Sequence, residues 1–309
     1  MWILASPLWL VISILADALS GLWRFPTVRL CIFAGLYMAH EWVGVFAAVW
    51  LWLTGRFGRQ LNLTAHRGVQ GWWATSLLRW ARRLLGVRLQ VANAMEIPDG
   101  NLVMLSRHAS MVDAVIPIAL VASKMQRFVH YALKRELRWD PNLDLFGTRL
   151  RNHFVARGND TEAEEEALYQ MALEAEPDSA LVIFPEGTYA TPSNRARVLR
   201  SLRRKGDPDV ISQAERLQEL LPPTPAGTLA MLRGQPEADV VVVGHVGLEG
   251  VAELRGLRKR LPLLEPVVVR WWTHARDELP RSESELTEWL GLRWLELDQW
   301  IVEHKTSAT

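Results

Sequence analysis

Six short apolar segments set the tightest limit on what this chain can fold into. They lie at residues 101–106, 127–133, 152–156, 180–184, 239–246 and 266–272. Each is bounded by turn-forming residues or by charged helical patterns, as expected of strands that alternate with helices. Because the segments are apolar on both faces, the sheet that they form needs cover on both sides. The sequence therefore predicts an α/β fold with a mostly parallel or mixed central sheet covered by helices on both faces.

The helices expected around this sheet have three distinct compositions. An arginine-rich segment spans 67–85, an apolar run spans 114–123, and an acidic, solvated segment starts near Thr161. A last helix opens with a capping box formed by Ser282 and Glu285. We expect all of them to pack on one sheet.

The N-terminus differs in composition from the rest of the chain. Nine of the fifteen tryptophans lie in the first eighty residues, which also hold two apolar stretches, 2–16 and 30–53. His40 and Glu41 interrupt the second stretch, so neither reaches the eighteen or so clean apolar residues typical of a spanning helix. We predict a two-helix, membrane-associated hairpin that enters the bilayer in a shallow or re-entrant manner, because His40 and Glu41 are costly at mid-depth. A hairpin that crosses the bilayer and returns, a secretory signal peptide, and a pair of core helices of a soluble protein are the alternatives.

An arginine-rich flank indicates which side of a membrane the chain faces. Residues 54–90 contain seven arginines and no acidic residue. Such flanks stay in the cytoplasm, and the single cysteine, Cys31, excludes an internal disulfide and fits a reducing compartment. We therefore expect a membrane-associated protein whose α/β domain lies on the cytoplasmic face. The predicted organisation is an anchoring hairpin at 1–58 and an α/β domain at 59–309.

Ionisable residues at the ends of predicted strands are the first candidates for chemistry, because an α/β sheet collects its functional groups at one edge. His108 follows the segment 101–106 and precedes Asp113 by five residues. If His108 lies in the turn and Asp113 in the first helical turn, the carboxylate holds one imidazole nitrogen and leaves the other free as a base. Ser106 and Ser110 offer a hydrolase alternative, although the chain has no Gly-x-Ser-x-Gly elbow.

Three other histidines, His130, His153 and His245, fall within strand patterns. We expect them to be core or edge histidines with satisfied hydrogen bonds rather than ligands. No two histidines have the spacing of metal ligands, so we expect no metal site.

A Phe-Pro-Glu-Gly-Thr motif occupies residues 184–188, at the end of a predicted strand. A turn alone would explain its proline and glycine. Together with His108 and Asp113, however, the motif resembles the glycerolipid acyltransferase family, which includes the 1-acylglycerol-3-phosphate acyltransferases and other lysophospholipid acyltransferases. Further similar segments lie at 131–141, 152–159, 221–232 and 297–301. The last two are similar to the lysocardiolipin acyltransferase branch, and the whole resemblance spans residues 60–300.

The resemblance implies transfer of a fatty acyl group from acyl-CoA to the free hydroxyl of a lysophospholipid, most simply lysophosphatidic acid to phosphatidic acid. Acyl carrier protein is an alternative donor. His108 would be the general base and Asp113 its orienting carboxylate, with no covalent protein nucleophile. The expected partners are membrane lipids, the acyl donor and the lysophospholipid acceptor, with no nucleic acid and no cofactor.

The resemblance also implies residues that bind the acceptor. Arg157 would hold its phosphate, and Lys134 lies on the approach to that block. Glu186 and Gly187 would face the polar headgroup. Thr188 would cap the next helix and aim its N-terminus at an anion.

Two positions depart from the family pattern. Tyr189 stands where an arginine is usual, so one phosphate ligand is missing, and Lys134, Arg195 and Arg197 are candidates to replace it. Arg107 stands where asparagine is common, and it fits either a more anionic acceptor or a salt bridge. Tyr189 also keeps open a second functional class, a catalytically silent lipid-binding protein on the same fold. An esterase or thioesterase is the less favoured third class.

Overall fold

A seven-stranded mixed sheet forms the centre of the computed structural model, which describes residues 2–58, 62–93, 98–110, 113, 115–118, 121, 127–156, 161–249 and 258–306. The strands are β1 (Leu89–Val91), β2 (Leu102–Ser106), β3 (Phe128–Lys134), β4 (His153–Val155), β5 (Ser179–Ile183), β6 (Asp239–Val246) and β7 (Val267–His274). Their order across the sheet is β1-β7-β6-β2-β5-β3-β4. Neighbouring strands are parallel except for β6 and β7, which are antiparallel. The predicted fold class is confirmed.

The α-helices of the described residues include an N-terminal pair that precedes the sheet and others that cover both of its faces. They are α1 (Trp2–Leu19), α2 (Pro26–Gly58), α3 (Leu63–Trp80), the short α4 (Val115–Pro117), α5 (Pro141–Arg149), α6 (Thr161–Leu173), α7 (Pro192–Lys205), α8 (Pro208–Arg216), α9 (Pro225–Gly234) and α10 (Glu283–Thr306). One core layer joins α6, α9 and α10 to the sheet through Leu168, Met231 and Trp294. The opposite layer joins α3 and the following turn through Ala74 and Leu85. Two-sided burial is why the central strands are apolar throughout.

The predicted strand segments match β2 to β7 to within two residues. The three-residue β1, which is partly exposed, was not predicted because it is too short to show a pattern. The arginine-rich helix starts earlier than predicted, at Leu63, where the Asn62 side chain accepts a hydrogen bond from the Ala65 N–H at 2.9 Å. In the predicted run 114–123, residues 115–117 are helical, and residues 114, 119–120 and 122–123 lie outside the described part of the chain.

An N-terminal hairpin of α1 and α2 leaves much of its apolar surface uncovered. Its exposed large side chains include Leu8, Trp9, Ile12, Trp23, Trp42, Phe46 and Trp50. Within the described residues, one stretch, Pro26–Gly55, is long and apolar enough to cross a membrane. This surface is consistent with membrane association, whereas the depth of insertion and the division at residue 58 stay predictions.

The second hairpin helix runs unbroken through the two polar residues that interrupt its sequence. His40 Nδ1 donates to the Leu36 carbonyl at 2.7 Å, and its Nε2 accepts from the Ser76 hydroxyl of α3 at 2.8 Å. Glu41 accepts from the Trp73 indole at 3.1 Å and from the Asn142 N–H of α5 at 3.2 Å. The polar pair therefore faces the α/β domain rather than the exposed apolar surface, which is why it does not end the helix.

Candidate functional site

Three neighbouring parallel strands bring their carboxyl ends to one edge of the sheet. β2 pairs with β5 on one side and with β6 on the other. The segments that follow these strands, 107–110, 184–189 and 247–249, therefore meet at the same place, where α/β proteins commonly bind ligands. β3, next to β5, ends at Lys134 on the same edge.

His108 and Asp113 lie side by side in this cluster. The distance from His108 Nδ1 to Asp113 Oδ2 is 3.5 Å, and Asp113 is completely buried. Because the carboxylate faces Nδ1, the opposite nitrogen, Nε2, is the one left to act on a substrate. The structure thus brings together the two residues that the sequence singled out as a base and its orienting carboxylate.

The turn after His108 is folded around the Asp113 carboxylate. Oδ2 accepts hydrogen bonds from the Ala109 and Ser110 N–H groups, and Oδ1 accepts one from the Ser110 hydroxyl at 2.7 Å. Burial by itself raises the pKa of the Asp113 carboxyl, but His245, His108 and these hydrogen bonds outweigh it and hold the pKa well below its usual range. Ser110 is itself completely buried, which argues against the hydrolase alternative.

His245 is a member of this cluster that the sequence reasoning missed. It lies near the end of β6, completely buried, with Nε2 3.3 Å from Asp113 Oδ1. The expectation of a satisfied core histidine is wrong for this residue, because neither ring nitrogen makes a hydrogen bond within the described structure. The sequence feature that could have indicated His245 as a site residue is its position near the end of an apolar strand. The pairing of β6 with β2, which brings it to Asp113, cannot be read from the sequence.

Two aromatic rings enclose the His108 imidazole. Its ring centre lies 4.5 Å from that of Phe184 and 4.3 Å from that of Tyr189. The Lys134 ammonium group lies 4.7 Å from the centre of the Tyr189 ring, a cation–π distance. Burial lowers the pKa of His108; Asp113 opposes the shift, and Lys134 reinforces it. A neutral imidazole is the form that can accept a proton.

Glu186 lies in a different environment from the one that the motif implies. It is 6% exposed; Oε1 accepts from the His108 N–H at 2.9 Å, and Oε2 accepts from the Leu221 N–H at 2.9 Å. Burial raises its pKa to about 8, although both hydrogen bonds oppose the shift. The carboxyl group thus ties the end of β5 to the backbone of His108. A direct contact with an acceptor headgroup stays a prediction.

The rest of the motif forms the turn that follows. Gly187 has a φ of +64°, a conformation that favours glycine, and a Cβ atom added there would meet no atom within 4 Å. The predicted capping role of Thr188 is wrong, because Thr191 caps α7 and accepts from the Asn194 N–H at 3.2 Å. The Thr188 hydroxyl instead accepts from the Asn194 side chain at 3.2 Å. Pro192 at the start of α7 was the missed signal, since proline favours the first helical position.

The arginines considered as anion ligands have different surroundings. Arg107 is buried and forms a 2.5 Å salt bridge with Glu249, the second of the two roles considered for it. Arg195 donates to the carbonyls of Gln218 and Leu220 at 3.1 and 3.2 Å. Arg197 donates to the Asn194 side chain at 3.0 Å on the exposed face of α7. Arg157 lies outside the described residues.

Comparisons with known proteins agree with this geometry. Residues 88–223 match the sequence model of the Acyltransferase family, a region that contains His108, Asp113 and the 184–188 motif. A similar solved structure is the crystal structure of the 1-acyl-sn-glycerophosphate (LPA) acyltransferase PlsC from Thermotoga maritima. It has a TM-score of 0.56 and 15% identity, over 90% of this chain and 98% of that chain. No curated protein sequence matches the chain. The structural likeness shows the fold, and the family match favours acyl transfer over a silent lipid-binding role.

Proposed function

We propose that this chain is a glycerolipid acyltransferase that transfers a fatty acyl group from acyl-CoA to the free hydroxyl of a lysophospholipid. The match of residues 88–223 to the Acyltransferase family model and the PlsC-like fold support this proposal. The simplest case is conversion of lysophosphatidic acid to phosphatidic acid, with acyl carrier protein as an alternative donor. The observation that carries the proposal is the His108 imidazole with a buried carboxylate behind it, 3.5 Å away, inside the region matched to the family.

The His108–Asp113 pair fits a general-base mechanism. His108 Nε2 takes the proton from the acceptor hydroxyl while the hydroxyl oxygen attacks the thioester carbonyl carbon. A carbon–oxygen bond forms, and collapse of the tetrahedral intermediate breaks the carbon–sulfur bond. The departing thiolate then takes the proton from the imidazolium, which returns His108 to its neutral state. Asp113 stabilises the imidazolium between the two proton transfers.

Lys134 is the cation that we assign to the acceptor phosphate on the described part of this edge. Its ammonium group lies beside Tyr189, whose ring contacts His108. A phosphate near Lys134 would therefore lie close to the base, as a lysophosphatidic acid with a nearby hydroxyl requires. Arg157 is a second proposed ligand, because it follows β4, the strand that pairs with β3.

The exposed apolar surface of the hairpin fits the same substrates. A lysophospholipid and a long acyl chain both reside in the bilayer, so an enzyme that joins them benefits from a membrane anchor. We propose that the hairpin sits in the cytoplasmic leaflet, where the arginine-rich segment 54–90 meets anionic headgroups and acyl-CoA is available.

Release of free CoA thiol tests the proposed function. Purified protein in phosphatidylcholine vesicles would be given oleoyl-CoA with and without lysophosphatidic acid, and wild type would be compared with His108→Ala. His153→Ala is the matched control, because His153 lies on the edge strand β4 and bonds to Glu164 at 2.6 Å. We expect release that needs the acceptor and is lost only in His108→Ala. Release without acceptor would instead show hydrolysis, and no release across a panel of lysophospholipids would refute the proposal.

A further inference from the structure

A buried carboxylate lies between two histidines from neighbouring strand ends. We infer that His245 is a positioning residue for the proposed reaction: it holds the Asp113 carboxylate in place behind His108. The inference rests on the proposed function only for the kinetic part of its test.

The two oxygens of Asp113 face different partners. Oδ2 faces the Ala109 and Ser110 N–H groups and His108 Nδ1, whereas Oδ1 faces the Ser110 hydroxyl and His245 Nε2. A carboxylate with donors on both oxygens cannot rotate without breaking contacts on both sides. His245 supplies the contact that comes from another strand, so it fixes Asp113 relative to the sheet and not only relative to its own turn.

His245 has the properties of a donor aimed at one acceptor. It is completely buried, and neither Nδ1 nor Nε2 makes a hydrogen bond within the described residues. A buried polar atom without a partner is costly, and the Asp113 oxygen 3.3 Å away offers a negative charge. A small closure of this gap gives a charge-assisted hydrogen bond, which is stronger than one between neutral groups.

The backbone of His245 is held at this position by Arg107. The Arg107 guanidinium donates to the His245 carbonyl and to Glu249, and Glu249 in turn accepts from the Gly247 N–H at 2.7 Å. Strand pairing adds the register of Ser106 opposite Val243. Arg107 and Glu249 thereby lock the end of β6 against the residue next to His108, which gives the buried salt bridge a purpose at the site.

Removing His245 should have a defined electrostatic effect. The ionisable groups that face His108 and Asp113 are Lys134, Glu186, Tyr189 and Arg107, and they remain in every variant below. Burial is the largest cause of both pKa shifts: it lowers the pKa of His108 and raises that of Asp113. His245 lowers both pKa values, and an N–H donor facing Asp113 Oδ1 does so by reducing the negative charge that the carboxylate presents to His108. Without His245, both pKa values rise, so the acidic limb of the kcat/KM profile moves to higher pH.

The test compares His245→Leu, His245→Gln and His130→Leu with wild type. Glutamine places an amide N–H where Nε2 was, and leucine removes the donor. His130 is the matched control, because it is a buried histidine of β3 whose Nδ1 contacts the Leu150 carbonyl at 2.8 Å, away from Asp113. We expect His245→Leu to lower kcat by about 10- to 100-fold, the range for losing a hydrogen bond to a charged group. The KM for the acceptor should stay unchanged, glutamine should restore most of the activity, and His130→Leu should keep wild-type kcat.

A second readout does not depend on activity. Hydrogen exchange at the imidazole C2 position, followed by mass spectrometry across pH, reports the pKa of His108 directly. We expect its midpoint to rise in His245→Leu and to return towards wild type in His245→Gln. Equal loss of kcat in the leucine and glutamine variants, or an unchanged His108 midpoint, would overturn the inference. If the midpoint shifts as expected but no variant, wild type included, releases CoA, the coupling of His245 to His108 through Asp113 stands and the proposed reaction fails.

Discussion

Glu186 provides the sharpest test of the site, because a headgroup-facing carboxylate and a buried one respond differently to pH. Its carboxyl group accepts two backbone N–H groups, and burial raises its pKa to about 8. Replacing it by glutamine keeps the shape of the side chain and removes its titration. We predict that the difference in the free energy of unfolding between Glu186→Gln and wild type depends on pH.

The sign follows from proton linkage. A carboxyl group whose pKa is higher in the folded than in the unfolded protein stabilises the fold fully below the unfolded value. That contribution is lost as the pH rises through the folded value. For Glu186 this window runs from 4.5 to about 8. Between pH 5 and pH 8, wild type should therefore lose about 3 to 4 kcal/mol relative to Glu186→Gln, at about 1.4 kcal/mol for each unit.

Urea unfolding in nonionic detergent micelles, followed by tryptophan fluorescence at pH 5, 6.5 and 8, measures this difference. Other titrating groups are shared by the two proteins and cancel in the comparison. Glu215→Gln is the control, because Glu215 is an exposed carboxylate on α8 paired with Arg203 at 2.7 Å. The difference in the free energy of unfolding between Glu215→Gln and wild type should be much smaller at every pH than that for Glu186→Gln.

A difference for Glu186→Gln that changes by less than about 1.4 kcal/mol from pH 5 to pH 8 would refute the burial argument, since one pKa unit corresponds to that energy. The carboxylate would then face water, as the headgroup role requires. In that case Glu186→Gln should instead raise the KM for the lysophospholipid.

Three further predictions concern the base, the acceptor and the membrane. Asp113→Asn places an amide against the Ala109 and Ser110 N–H groups, and we expect kcat to fall by about 10²- to 10⁴-fold. Steady-state CoA release, with circular dichroism to check folding, measures this fall, and activity within threefold of wild type would contradict the prediction. Tyr189→Arg adds a cation beside His108, so the KM for lysophosphatidic acid should fall while that for a monoacylglycerol does not; an equal change for both acceptors would show that charge is not the cause. Trp50→Asp puts a charge on the exposed surface of α2 and should reduce co-sedimentation with phosphatidylglycerol vesicles several-fold. The control Leu173→Asp, on the exposed end of α6, should not reduce co-sedimentation, and equal effects of the two variants would contradict a membrane contact specific to the hairpin.

The strands and the proximity of His108 to Asp113 were predictable because their signals are local. β2 and β5 are buried along their whole length, so their sequences are uninterrupted apolar runs that end at the chemistry-bearing turns. His108 and Asp113 are only five positions apart in the chain, so their proximity can be expected from the local sequence. A parallel sheet then determines that both strand ends point to one edge.

The parts of the site that could not be predicted from the sequence depend on which segments become neighbours in the fold. His245 reaches Asp113 because β6 pairs with β2, although 137 positions separate His108 from His245 in the chain. The surroundings of Glu186 depend on Leu221, in a segment whose N–H groups at 218, 219 and 220 bind the Asp298 carboxylate of α10. No local sequence pattern encodes such pairings. A motif carboxylate such as Glu186, which the sequence suggests is open to substrate, can therefore have both oxygens hydrogen-bonded to backbone N–H groups.

The polar contacts of the hairpin bear on how the protein would search for its substrates. Asp17 accepts from the Thr27 N–H at 2.8 Å and pairs with Arg258 at 3.2 Å, while His40 and Glu41 bind α3 and α5. Three such fixed points prevent the hairpin from swinging as a loose tether. Once the apolar surface of the hairpin lies in a leaflet, the sheet edge that carries His108 is held at a fixed height and a fixed tilt relative to the lipids. Encounters with the proposed lysophospholipid acceptor would then depend on its lateral diffusion in two dimensions, and each acceptor molecule would arrive with its headgroup in the same orientation.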